Sequence, residues 1–170
     1  MFTKKMEADL NDQIVREMFS SNLYLSMSSY FESINLRGFA NWMRIQAEEE
    51  FAHTMKFYEY ILERGGRSII GQINAPKNQW DDVLDVYGEV LAHEREVTES
   101  INNLVRIARE EGDYATENFL QWFVAEQVEE EANVSDVLEQ LKMIDGKGAG
   151  LFILDRELKQ RVFVPIATTK

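Results

Sequence analysis

The sequence predicts an all-α fold: a four-helix bundle with a long crossover between its second and third helices and a short fifth helix at the C-terminal end. Two observations carry this. Glycine and proline gather at a few breaks, and only Gly88 falls inside a helical stretch. Between the breaks, helical periodicity spans about residues 4–36, 38–64, 82–111 and 114–144. Glu, Leu, Ala, Arg, Met and Gln fill much of each stretch, and these residues lose little freedom in a helix.

In chain order, the first stretch gives way to the second at Gly38, and Gly65-Gly66 closes the second. The connection from Gly65 to Asp81 is 17 residues long. Extended, it reaches roughly 55 Å, against about 40 Å for a helix of the second stretch's length. It can therefore return the chain along the whole bundle, so that the second and third helices run parallel. Gly112 ends the third stretch and Asp113 offers an N-cap for the fourth. The first and third junctions are only a few residues long, which forces antiparallel hairpins. A glycine-rich hinge at 146–150 leads to a fifth helix at about 151–161, before Pro165 stops regular structure. The expectation is one domain over residues 1–170, with its bundle at about 4–144.

Composition narrows the partners. A hydrophobic fraction of 45% supplies a sizeable core, and the net charge of −12 disfavours nucleic acid and anionic membrane surfaces. Cations suit it better. With no cysteine, disulfides, thiolate metal sites and thiol catalysis are excluded. No apolar run approaches the roughly 20 residues of a membrane span, and the start, Met1 to Glu7, turns acidic before a signal-peptide core could form. The expectation is a soluble, cytoplasmic protein.

Steps of three and four along the helices give four inward stripes. They read Leu10, Ile14, Glu17, Ser21, Tyr24, Ser28, Phe31; Phe39, Met43, Gln46, Glu50, His53, Phe57, Tyr60; Val83, Tyr87, Val90, Glu94, Val97, Ile101, Leu104, Ala108; and Leu120, Phe123, Gln127, Glu130, Val134, Val137, Leu141. Each is apolar at both ends and carboxylate-bearing near its middle. Glu17 to Glu50 is 33 residues, and so is Glu94 to Gln127. Each half thus offers a lone glutamate and a polar pair at i and i+3: Glu50-x-x-His53 in one, Gln127-x-x-Glu130 in the other. Four buried carboxylates must protonate, pair with cations or bind metal. Apart from His53 the stripes carry no basic residue. Two divalent cations would balance the four carboxylates, and oxygen donors plus one imidazole suit iron or manganese, with zinc as a substitute and magnesium a poorer fit.

With Gln46-Ala47-Glu48-Glu49-Glu50-Phe51-Ala52-His53 and Asn118-Phe119-Leu120-Gln121-Trp122-Phe123-Val124-Ala125-Glu126-Gln127, the chain resembles the bacterial non-haem ferritins over nearly its whole length. Lone glutamates combined with Glu-x-x-His pairs inside a helical bundle are a known hallmark of ferritin-like di-iron proteins. The resemblance implies that Glu17, Glu50 and His53 bind one iron, and that Glu50, Glu94 and Glu130 bind a second, Glu50 bridging. It implies that Gln127 sits behind the ligands and Tyr24 beside the centre, and that Glu49, Glu126 and Glu129 form a third, transit site toward a cavity. It further implies a ferroxidase that oxidises Fe(II) with O₂ or peroxide and stores ferric mineral inside a hollow homo-oligomeric shell of about 24 subunits. Bacterioferritins are similar but carry a second Glu-x-x-His where this chain has Gln127-x-x-Glu130. Their haem-ligating methionine position holds Phe51 here, so haem is not expected.

Other classes fit less well. A cytokine-like or adaptor bundle leaves carboxylates on all four inner stripes unexplained. A rubrerythrin-type peroxidase often carries a cysteine-rich iron module, absent here, and starvation-type bundles place metal between subunits. Manganese-dependent redox proteins share similar ligands. Tyr24, Tyr30 and Trp122 could donate electrons to iron–oxygen chemistry, although aromatics at helical spacing usually build core. His93, about 100° around the helix from Glu94, reads as an exposed or interface histidine. In Glu129-Glu130-Glu131, Glu130 should face inward, Glu129 a neighbouring acidic stripe and Glu131 solvent. The methionines read as flexible packing.

Overall fold

A computed structural model describes residues 2–166, and its helices are α1 (Lys4–Ser33), α2 (Arg37–Glu63), α3 (Val83–Glu111), α4 (Tyr114–Met143) and α5 (Gly148–Leu158). Each start of α1, α3 and α4 is capped by a side chain. Thr3 accepts from Met6 N, Asp82 from Leu84 N and Asp85 N, and Asp113 from Thr116 N.

The four bundle helices also end alike. Asn35, Gly65, Gly112 and Asp145 take positive φ of 62°, 76°, 68° and 50°. The next residue's N–H then reaches back five residues, as from Leu36 to Phe31 at 3.0 Å and from Asp113 to Ala108 at 2.9 Å. Asn35, whose type tolerates the left-handed region, is why α1 stops short of the expected residue 36.

Side-chain pairs fix the directions. Ser28 donates to Ala40 O and Ser21 to Ala47 O, so α1 and α2 are antiparallel. Gln13 meets Ser100 and Ser20 meets His93, so α1 and α3 are antiparallel too. α2 and α3 therefore run parallel, as the crossover length required. The crossover lies along α1: Arg67 N donates to Glu7 and Ile69 N to Asn11 near one end, and Ser26 donates to Lys77 O near the other.

The tail helix packs on α2. It occupies Gly148–Leu158 rather than the expected 151–161, because Gly150 lets its first turn press against Ile144 and the chain leaves the helix after Leu158. Asp155 Oδ1 accepts from Gly38 N at 2.7 Å and Phe39 N at 3.2 Å, capping α2 where Leu36 supplies no side-chain acceptor. A Cβ on residue 38 would lie 1.5 Å from Asp155 O, so only glycine admits the contact.

Candidate metal centre

Apolar packing fills both ends of the bundle. One cluster gathers Tyr24, Phe31, Phe39, Trp42, Tyr87 and Leu141, the other Leu10, Ile14, Phe57, Ile101, Leu120 and Phe123. Between them lies a polar layer of Gln13, Glu17, Gln46, Glu50, His53, Glu94, Gln127 and Glu130, each at most 4% exposed. The mid-stripe carboxylates of all four helices are thus buried at one level.

Ligand atoms of Glu17, Glu50 and His53 lie within 4.8 Å of one another. His53 Nδ1 stands 3.6 Å from Glu50 Oε2 and 3.9 Å from Glu17 Oε2. Trp122 and Phe123 hold the imidazole edge-on, with ring centroids at 5.4 and 5.8 Å. Glu17 Oε1 accepts from Gln13 Nε2 at 2.7 Å, yet Glu17 Oε2 is buried with no hydrogen-bond partner. An orphaned carboxylate oxygen in a dry layer costs stability unless something electropositive occupies the gap.

A second group within the same distance is His53, Glu126 and Glu130, rather than Glu50, Glu94 and Glu130. The reason is how Glu94 is held. Its Oε1 accepts from the Tyr24 hydroxyl and its Oε2 from Gln127 Nε2 at 3.1 Å. Glu126, half-buried, comes instead toward His53 and Glu130. Of the other two residues of the expected third site, Glu129 is exposed, and Glu49 is bound by Arg161 Nη2 at 2.5 Å.

Electrostatics follow from burial. It pushes Glu17 well above the ordinary carboxylate range, Glu50 adding to the rise while His53 and Gln13 oppose it. Burial, then Glu94 and Glu130, raises Glu50 in the same way. Burial and Glu94 push Glu130 up to about 8. Tyr24 is raised by burial and then by Glu94 and Glu50. Without metal, Glu130 holds its proton near neutrality, and a divalent cation would displace it.

Two sequence expectations need correction. His93 is half-buried rather than exposed, 2.8 Å from Ser20 Oγ and packed by Phe19 and Tyr24, and burial lowers its pKa. Glu131 is half-buried rather than fully solvated, accepting from Thr98 Oγ1 at 2.6 Å. Tyr30 packs on Trp80 at 5.3 Å, away from the polar layer.

Sequence reasoning placed Gln127 behind the ligands and Gln46 on an inward stripe, but missed Gln13 and the support that Gln46 gives the carboxylates. Gln13 donates to Glu17, and Gln46 Nε2 donates to Glu130 Oε2 at 2.7 Å and Glu50 Oε1 at 3.4 Å. The signal was present: each glutamine stands four residues before a buried glutamate, one turn away on the same face.

A family model described as Ferritin-like domain matches residues 7–144. The chain is 43% identical to the bacterial non-heme ferritin of Bacteroides fragilis over 161 residues, covering 95% of this chain and 100% of that one. It is 39% identical to the bacterial non-heme ferritin of Staphylococcus epidermidis over 163 residues, covering 96% and 98%. Among solved structures it is similar to the engineered closed form of Archaeoglobus fulgidus ferritin, with TM-score 0.95, 48% identity and coverage of 96% and 100%. The open-pore ferritin of the same organism matches with TM-score 0.94 and 48% identity over 95% and 99%.

Proposed function

This chain belongs to the ferritin-like family, and from that premise we propose that it stores iron, oxidising Fe(II) at a centre inside each subunit. The observation that carries the reading is Glu17 Oε2, buried, unpartnered and facing His53 and Glu50 across a gap of metal-ligand size. Glu17, Glu50 and His53 hold one Fe(II). Glu50, Glu94 and Glu130 hold the second, with Glu94 released from Tyr24 and Glu50 shared. Two Fe(II) give up one electron each, reducing O₂ to peroxide with two protons, or peroxide to two waters with two protons. The chain fixes the two ions side by side, supplies negative charge and, through Gln13, Gln46 and Gln127, holds the carboxylates in place. Fe(III) then passes by Glu49, Glu126 and Glu129 to a mineral store.

Storage needs a shell. Leu25, Phe51, Val128, Phe152 and Ile153 are each at least 50% exposed, and a groove of about 1100 Å³ runs past Leu25, Phe51, Met55 and Phe163. We assign these apolar surfaces to contacts between copies, in a closed homo-oligomer of about 24 subunits. No helix among the described residues is long and apolar enough to cross a membrane, and we place the protein in the cytoplasm.

Anaerobic Fe(II) titration with metal analysis tests the centre: two tightly held irons per subunit are expected, and fewer than one would refute it. Analytical ultracentrifugation tests the shell. One closed species near the mass of 24 chains is expected, and a persistent monomer at micromolar concentration would refute storage in a cavity.

A further inference from the structure

The tail beyond α5 carries a cation into the acidic layer. Arg161 is only partly exposed, its guanidinium stacked on the Trp42 ring at 4.5 Å from the centroid. Its Nη1 donates to Gln46 Oε1 at 2.8 Å and weakly to Trp42 O at 3.4 Å, while Nη2 donates to Glu49 Oε2. Asn41 Nδ2 in turn donates to Arg161 O at 3.0 Å, pinning the backbone that delivers the side chain.

Two consequences follow from the donor chemistry. Arginine has only donors, so the atom of Gln46 that meets it must be the oxygen. The Gln46 amide nitrogen is thereby turned toward Glu130 and Glu50. The Glu49 carboxylate, for its part, already has a counter-ion of fixed geometry. Burial raises its pKa and Arg161 is the strongest influence lowering it.

We propose that Arg161 is a tethered counter-cation that competes with metal for Glu49 and so sets how weakly the third site holds iron. This rests on the reading of Glu49, Glu126 and Glu129 as a transit site. In the metal-free protein the guanidinium holds Glu49 Oε2; an arriving cation competes with it for that oxygen. A departing cation is followed by its return. Retention is low because the competitor is intramolecular and never diffuses away. Arg161 acts through Glu49 and Gln46 and is a positioning residue.

The test is calorimetric titration of the assembled protein with Zn(II), which has no redox chemistry to obscure binding. Arg161→Gln removes the charge but keeps a polar side chain; Arg161→Lys keeps the charge but loses the planar fork. Release of one charge-assisted hydrogen bond predicts that Arg161→Gln binds its third Zn(II) about tenfold more tightly. Arg161→Lys should keep the third ion near wild type, and the third ion is read separately from the first two, whose ligands the Gln46 contact also supports. A residue that merely staples the tail to Trp42 through its positive charge would loosen the tail in Arg161→Gln without tightening the third ion. Equal third-ion affinity in wild type and Arg161→Gln, or equal shifts in the two variants, overturns the inference alone. Absence of a third ion in all three proteins removes the transit site itself, and the inference with it.

Discussion

The hairpin α1–α2 and the hairpin α3–α4 are offset copies, and their differences show how labour is divided at the centre. A shift of 77 residues carries Glu17 to Glu94, Glu49 to Glu126, Glu50 to Gln127 and His53 to Glu130. The same shift carries Gln13 to Val90, Tyr24 to Ile101 and Gln46 to Phe123. Donors in the first hairpin thus have apolar residues as their counterparts in the second. Tyr24 and Gln46 both cross the bundle to reach carboxylates of the second hairpin, Glu94 and Glu130. The first half carries ligands together with most of their hydrogen-bonding support; the second carries ligands cushioned by packing, such as Phe123 against the His53 ring, with Gln127 as its donor to Glu94. A buried carboxylate needs a donor, a proton or a metal, and these donors are concentrated on one side.

The largest expected effect breaks the offset symmetry directly. Glu50→Ala should slow the fast phase of iron oxidation by about 100-fold or more, since both ions lose a ligand, whereas alanine at its counterpart Gln127 should cost about tenfold. Stopped-flow oxidation of Fe(II) reads both. Equal losses at the two positions would show that Glu50 bridges nothing.

Next comes pH. Glu130 is pushed up to about 8 in the folded chain, against about 4.3 for an ordinary glutamate in the unfolded one. The unfolded chain therefore loses its proton first as pH rises, and metal-free stability falls between these two values. The wild-type Tm should decline relative to Glu130→Gln from about pH 5 to pH 8, with little further change above. Saturating Zn(II) should abolish the decline. A Tm difference independent of pH would remove the buried, protonated carboxylate from the account.

The smallest effect sharpens the comparison of supports. Gln46→Leu should weaken metal binding by about tenfold, because it leaves Glu130 without its donor. Val90→Ala, at the counterpart of Gln13, should cost about 1–3 kcal/mol of stability and leave metal affinity intact. Zn(II) calorimetry with thermal melts separates the two, and an affinity loss in Val90→Ala would contradict the division.

The helices and the depth of the carboxylates were legible because both are periodic properties. Gly112-Asp113 marks a stop and a start locally, and a stripe with Glu17 or Glu94 at its centre states which face is buried. Rotamers and remote contacts are not periodic. Nothing in the third stripe announces that Glu94 turns to Tyr24 and Gln127, or that Glu126 joins His53 and Glu130 with ligand atoms within 4.8 Å of one another. Gln13 was hidden by lying next to Ile14, which fits the apolar stripe better. Arg161 meets Glu49 across 112 residues of chain, a pairing no local pattern contains.

The Asp155 cap on α2 has an effect far from the tail that supplies it. Gly38 and Phe39 amides have their acceptor 117 and 116 residues away, so their exchange with solvent deuterium reports whether the tail is docked. Each undocking event should expose these two N–H groups while the middle of α2 stays protected. The opening of turn one of α2 thus becomes a clock for the tail, readable at residues that never leave the bundle.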